Sequence, residues 1–201
     1  MNGHLRTAVA LMLMIAMIAG CKSTPQASNY ETVPDMPARN AALAHQHNAE
    51  ALTHLKEGEY EKAEKLLKQA LEADVTFGPG HNNLGKTYYL QKKYYLAAWE
   101  FQYAIKLMPH QPEPRNNLGL VMEAVGKLDE AVMQYAQAAE IEPDNPQILG
   151  NLARAHVRRG DRGEDTQALL SELIMRDTRP QWVAWAREKL AMMQAKAPEQ
   201  P

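Results

Sequence analysis

The sequence predicts an all-α solenoid of about four helix-turn-helix repeats, closed by one further helix. Three observations predict it. Between residues 78 and 145 one 34-residue pattern is written twice: Asn83-Leu84-Gly85 returns as Asn117-Leu118-Gly119, Ala97 and Phe101 as Ala131 and Tyr135, and Ala104 and Pro109 as Ala138 and Pro143. Self-similarity at a fixed period of this size marks stacked repeats. The pattern also extends one period to each side, over residues 44–77 and 146–179. Finally, Trp182, Trp185, Ala186, Leu190 and Met193 form one apolar stripe at helical spacing after the last repeat. Tryptophans at this spacing could form a binding site, but a terminal repeat needs such a cover for solubility, and the stripe reads as that cover.

In chain order, residues 1–20 come first. His4 and Arg6 give a short polar start, and Ala8 to Ala19 are apolar without interruption. That run is shorter than the ~20 apolar residues of a membrane span and has the proportions of a secretory signal. It ends at Ile18-Ala19-Gly20-Cys21, and Cys21 is the only cysteine, so no intramolecular disulfide can form. Residues 21–40 are rich in Ser, Thr, Asn and Pro, a composition that cannot bury enough surface to fold, and read as a flexible tether.

The repeat domain is expected over residues 41–179, in units 44–77, 78–111, 112–145 and 146–179. Each unit is a helix A followed by a helix B. Gly85 and Gly119 lie inside helix A, where glycine costs about 1 kcal/mol relative to alanine, so a close neighbour is expected there. Gly126 suits the left-handed residue that ends helix A. Pro109 and Pro143 end helix B, because proline lacks the amide donor. The first repeat departs from the pattern in helix A, where Glu50 stands at the position of Leu84 and His54 at that of Tyr88, with His47 on the same helix. The fourth departs in helix B, where Asp165 and Glu172 replace alanines. Its helix is expected to start late, near Asp165, and to pack through Leu169, Leu170, Leu173 and Ile174. Residues 180–195 form the capping helix and 196–201 a tail.

The run Leu84-Gly85-x-x-Tyr88, Ala97-x-x-x-Phe101 and Pro109 resembles the tetratricopeptide repeat pattern position by position. The resemblance implies that helix A lines a concave surface and that the chain binds proteins or extended peptides. The segment ending at Cys21 resembles a bacterial lipobox. That resemblance implies a membrane tether through a lipidated Cys21 and, because Lys22 and not aspartate follows it, display from the outer membrane into the periplasm. Lipoproteins of this organisation include assembly factors for type IV and Flp-type pili. Adaptors for cell-wall hydrolases are a further analogy.

The composition argues against other classes. A net charge of −2 makes no case for nucleic acid. There is no glycine-rich phosphate loop, nucleophile elbow or zinc cysteine pair, so an enzyme, a cofactor and a small-molecule substrate are not expected. The best metal candidate is His47, Glu50 and His54 on one helix face, weighed against a plain solvated face on the first repeat. His156, at the position of Tyr88, reads as a packed core residue. Asn83, Asn117 and Asn151 recur every 34 residues, and such a column can bond to a peptide backbone, each amide offering donors and an acceptor. Asparagine is also common there in the family whatever the ligand. Asn82, Lys86 and Tyr89, then Asn116, Leu120 and Glu123, then Arg154, Val157 and Arg158 flank the column. Arg154, Arg158, Arg159 and Arg162 make the fourth repeat basic, which suits an acidic segment or a terminal carboxylate. A carboxylate-binding subclass of the family uses Lys and Asn in this way, but here the first-repeat asparagine is replaced by Ala49.

Overall fold

The computed structural model describes residues 39–195. Among the described residues there are nine helices and no strand. Four A/B pairs follow one another: α1 (Ala41–Glu57) with α2 (Tyr60–Ala73), α3 (Gly78–Leu90) with α4 (Tyr94–Leu107), α5 (Pro112–Ala124) with α6 (Leu128–Ile141), and α7 (Pro146–Arg159) with α8 (Glu164–Arg176). The last helix, α9, spans Pro180–Gln194. Gly78, Pro112, Pro146 and Pro180 are the first residues of α3, α5, α7 and α9, so the 34-residue step continues into α9. Proline fits there because the first helical amide has no partner in any case. Asn40 caps α1 by accepting the Leu43 amide at 3.0 Å.

Each B helix buries three residues against its own A helix. The trios are Ala63, Leu67 and Ala70; Ala97, Phe101 and Ala104; and Ala131, Tyr135 and Ala138. The aromatic ring lies on the helix A glycine. A Cβ on Gly85 would meet the Phe101 ring at 2.8 Å, and one on Gly119 would meet Tyr135 at 2.6 Å. The glycines therefore make room for a ring rather than for a neighbouring backbone. Leu84 and Leu118 bury against the preceding repeat in the same core. Glu50 takes that position in the first repeat. There it faces outward, since no described repeat precedes it.

Helix A ends the same way in every repeat. Gly58, Gly126 and Gly160 have φ of 76°, 79° and 95°, and Lys92 holds the equivalent place at φ 61°. The fourth repeat then breaks register in a compensated way. Its buried trio is Thr166, Leu170 and Leu173, each one residue later than the pattern requires. Three residues, Asp177 to Arg179, connect α8 to α9, whereas four connect each earlier B helix to the next A helix. One residue gained in the turn is given back in the next loop.

The end of the stack is closed by α9. Leu149, Ala153, Leu170, Leu173 and Ala186 form a buried cluster, with Trp182, Trp185, Leu190 and Met193 packed around it. Trp182 rests on Gly150, where a Cβ would meet its ring at 3.2 Å. The Arg154 and Arg179 guanidinium groups lie over the Trp182 ring at 5.4 and 5.1 Å.

Candidate functional site

Successive A helices pack on one another, α1 on α3, α3 on α5 and α5 on α7, while no two B helices pack to that extent. The stack therefore curves with its A helices inside. Two adjoining cavities open along this side and share Asn82, Asn83 and Glu113. The larger, about 590 Å³, continues over Pro79, Met108, Pro109 and His110. The smaller, about 240 Å³, is lined by Lys86, Asn116, Asn117, Asn145 and Ile148 among others. Five of the residues expected to contact a peptide thus border one continuous depression. Tyr89 and Leu120 do not stand free in it. Both are half-buried and pack against the repeat cores.

The asparagines bond mainly to each other. Asn83 Nδ2 donates to Asn48 Oδ1 at 2.7 Å, Asn117 to Asn82 at 3.0 Å, and Asn151 to Asn116 at 2.8 Å. Each bond links one repeat to the next across 35 residues. The column is therefore a structural ladder first, with one amide hydrogen of each donor already committed. The ladder stops where the stack stops. Ala49 takes the donor position in the first repeat, which has no described predecessor, and Gly150 takes the acceptor position in the last, where Trp182 covers it instead. Ala49 is thus accounted for by position in the stack.

Three of the four arginines at the basic end of the groove are already paired, and Arg162, exposed, joins no ion pair among the described residues. Glu123, only 4% exposed, accepts from Arg154 Nε and Nη2 at 2.9 and 2.8 Å, from Arg158 Nη1 at 2.8 Å and from the Tyr135 hydroxyl at 2.9 Å. Burial alone would raise its carboxyl pKa. The hydrogen bonds from Arg154, Arg158 and Tyr135 outweigh burial and hold it at about 2. The same carboxylate raises the Arg154 pKa, and burial followed by Glu123 raises that of Tyr135. Arg159 is tied to Asp161 and Asp129. The expectation of a basic groove end that captures a terminal carboxylate meets a competitor: Arg154 and Arg158 already hold the side-chain carboxylate of Glu123.

The metal candidate is also rearranged. His47 Nδ1 lies 4.0 Å from Glu50, and His54 turns away from both, with Nδ1 2.6 Å from Glu59. The His54, Glu57 and Glu59 ligand atoms do approach within 4.8 Å, but Lys62 holds the other Glu59 oxygen at 2.8 Å. The pair has a counterpart in the fourth repeat, where His156 Nδ1 lies 2.6 Å from Asp161. His156, expected as a packed core residue, is half-buried and closes the turn between its helices. Two contributors escaped sequence reasoning, Asn48 as the first acceptor of the ladder and Glu123 as the centre of the arginine cluster. Stepping back 34 residues from Asn82 finds the first, but no periodic signal marks the second. Cys21 lies outside the described residues.

Repeated helical hairpins, glycine–aromatic packing and an inner helix-A surface define a solenoid scaffold. Comparison with known proteins gives its family. Tetratricopeptide repeat profiles match residues 48–112 and 122–185, together well over half of the chain, and the chain belongs to the tetratricopeptide repeat family. Domains of this kind serve protein–protein interaction. U-box domain-containing protein 70 of Oryza sativa subsp. japonica is 25% identical over 191 aligned positions, covering 75% of this chain and 23% of that protein. The chain therefore spans about a quarter of that curated relative's length. Among solved structures, the first repeat domain of Spaghetti (RPAP3) bound to the HSP90 peptide SRMEEVD aligns with TM-score 0.59 at 21% identity, over 61% of this chain and 98% of that one. MamA aligns with TM-score 0.56 at 21% identity, over 74% and 79%. At that identity the likeness is one of fold.

Proposed function

We propose that this protein is a lipid-anchored scaffold of the bacterial cell envelope that holds extended segments of partner proteins along its inner, helix-A face. The observation that carries the groove reading is the pair of cavities joined at Asn82, Asn83 and Glu113. At Asn83 and Asn117, which are half-buried and border the depression, the ladder leaves a second amide hydrogen for a peptide backbone, whereas Asn151 is buried. Lys86 and Glu113, both exposed, are opposite charges at the same depression. With Arg154 and Arg158 committed to Glu123, the groove suits a weakly charged segment rather than an acidic terminus. The membrane part of the reading rests on Cys21 at the end of the apolar run. Lys22, in place of the aspartate that retains such lipoproteins at the inner membrane of a two-membrane host, supports outer-membrane attachment facing the periplasm. Pilus-assembly components and cell-wall hydrolases are the partner classes that the resemblance brings forward.

Capture from envelope extract tests the groove. Wild type and a Lys86→Glu, Glu113→Lys double variant are compared as bait, with circular dichroism to confirm equal folding. The variant is expected to lose its partner, and equal capture would rule the groove out. Cell fractionation tests the anchor: Cys21→Ser is expected in the soluble fraction, and its retention in membranes would overturn lipidation.

A further inference from the structure

The first three repeats share one register and act as controls for one another, and the second carries an unexplained surface. At three outward helix-B positions the first repeat has Glu61, Lys62 and Lys65, all exposed, and the third has exposed Asp129 and Met133 with half-buried Glu130. The second repeat has Tyr95, Leu96 and Trp99 at the same places. Tyr95 is 88% and Trp99 66% exposed. The fold does not require apolar residues there, since the first repeat is charged at all three positions and still forms its helix. Beside the two rings a cleft of about 580 Å³ runs between α4 and the end of α5, with Val121, Met122 and Val125 on its far wall. That volume is in the range of ligand pockets, and the walls are largely apolar.

Charge around the cleft has one sign on α4. Tyr95, Trp99, Gln102 and Lys106 follow one another at helical spacing on one exposed face, and Lys92 lies exposed in the turn just before α4. Lys92 and Lys106 join no ion pair among the described residues. The only acid on α4, Glu100, is bound to His81 at 2.7 Å. Lys127 stands on the opposite rim, 3.5 Å from Glu130.

We propose that the outer face of α4 and its cleft dock an amphipathic helix of a partner protein. Its apolar stripe fills the cleft against Trp99, and acidic residues on its flanks meet Lys92, Lys106 and Lys127. A helix laid in a groove reads through anchors one turn apart, which is the spacing that Tyr95 and Trp99 present. A concave apolar cleft with lysines at its margins fits side-chain anchors better than a flat lipid surface. This site is separate from the inner groove and stands or falls without it.

The test is to pan a displayed library of helical peptides on the purified full chain. The expected result is enrichment of sequences with an i, i+3/i+4, i+7 apolar stripe and acidic flanks. Their affinity should fall roughly tenfold with Trp99→Ala, and less with Lys106→Glu. The Lys86→Glu, Glu113→Lys groove variant should bind them as wild type does. Because Trp99 and Tyr95 are exposed, Trp99→Ala and Tyr95→Ala should melt with wild type, which separates lost docking from lost folding. No enrichment, or enriched peptides that bind Trp99→Ala equally, would overturn the proposal. So would binding to phosphatidylglycerol vesicles, or self-association, that Trp99→Ala abolishes in the absence of any enriched peptide.

Discussion

Removing the Glu123 carboxylate is predicted to destabilise the stack. The residue is 4% exposed, and Tyr135, whose hydroxyl it accepts, is completely buried. Glu123→Ala leaves that hydroxyl without a partner and leaves the Arg154 guanidinium unpaired, although Arg154 keeps 29% side-chain exposure and can turn partly to water. Breaking a buried ion pair from one side costs about 3 kcal/mol at the lower end of the usual range, or roughly 6–12 °C in the melting midpoint of a domain this size. Glu123→Gln keeps the shape and removes the charge, and about 2 kcal/mol is expected at pH 7. The pH dependence carries the sharper test. A carboxyl held at about 2, against an ordinary 4.5, contributes about 3 kcal/mol. Its folded pKa is depressed, so this stability is present above about pH 4.5 and is lost as the pH falls toward about 2. Urea melts of wild type and Glu123→Gln at a series of pH values should converge across that window. Glu64, also held at about 2 after hydrogen bonds from Lys68 and Lys93 outweigh its burial, titrates in both proteins and cancels in the difference. A wild-type advantage that is constant from pH 7 to pH 2.5, or one under 1 kcal/mol at pH 7, would refute the arginine-clamp account.

Three further predictions rest on the repeat geometry. In the Asn116–Asn151 pair, a double-mutant cycle with alanine should give a coupling of about 1 kcal/mol, since either single change leaves a buried amide unpaired and the second then costs little. Strict additivity in chemical denaturation would show that the 2.8 Å bond contributes nothing. Asn117→Ala with Asn151→Ala removes two ladder bonds and should lower the melting point. Lys92→Gly should raise stability by about 0.5–1 kcal/mol, because Lys92 sits at φ 61° where the three sibling turns use glycine. An unchanged or lower midpoint would mean that the turn carries no strain.

Much of the fold was legible because it is written more than once. Gly85 and Gly119 announce a close contact by recurring, and the contact proves to be with Phe101 and Tyr135. The stripe from Trp182 to Met193 was readable by period and by its place after the last repeat. The fourth helix B was harder. Asp165 and Glu172 at alanine positions read as degeneration, whereas the whole trio has moved by one residue to Thr166, Leu170 and Leu173. The inner face was legible as a location but not as chemistry. Asn83 looks outward to a ligand only if Asn48 is ignored, and a bond across 35 residues leaves no trace in either local segment. Arg154 and Arg158 look like free positive charge for the same reason. Their partner sits in another helix, at a position occupied by Tyr89 in the preceding repeat.

The asparagine ladder makes the array modular in one direction only. Residues 78–111 carry both halves of the junction, a donor at Asn83 and an acceptor at Asn82. A tandem copy of that unit would meet matching chemistry at each new boundary and could lengthen the stack without a mismatched amide. A copy of residues 146–179 would instead set Gly150 against an asparagine donor and forfeit the seat of Trp182. The length of this scaffold can therefore change by duplication within its middle, while Ala49 and Gly150 mark its two ends.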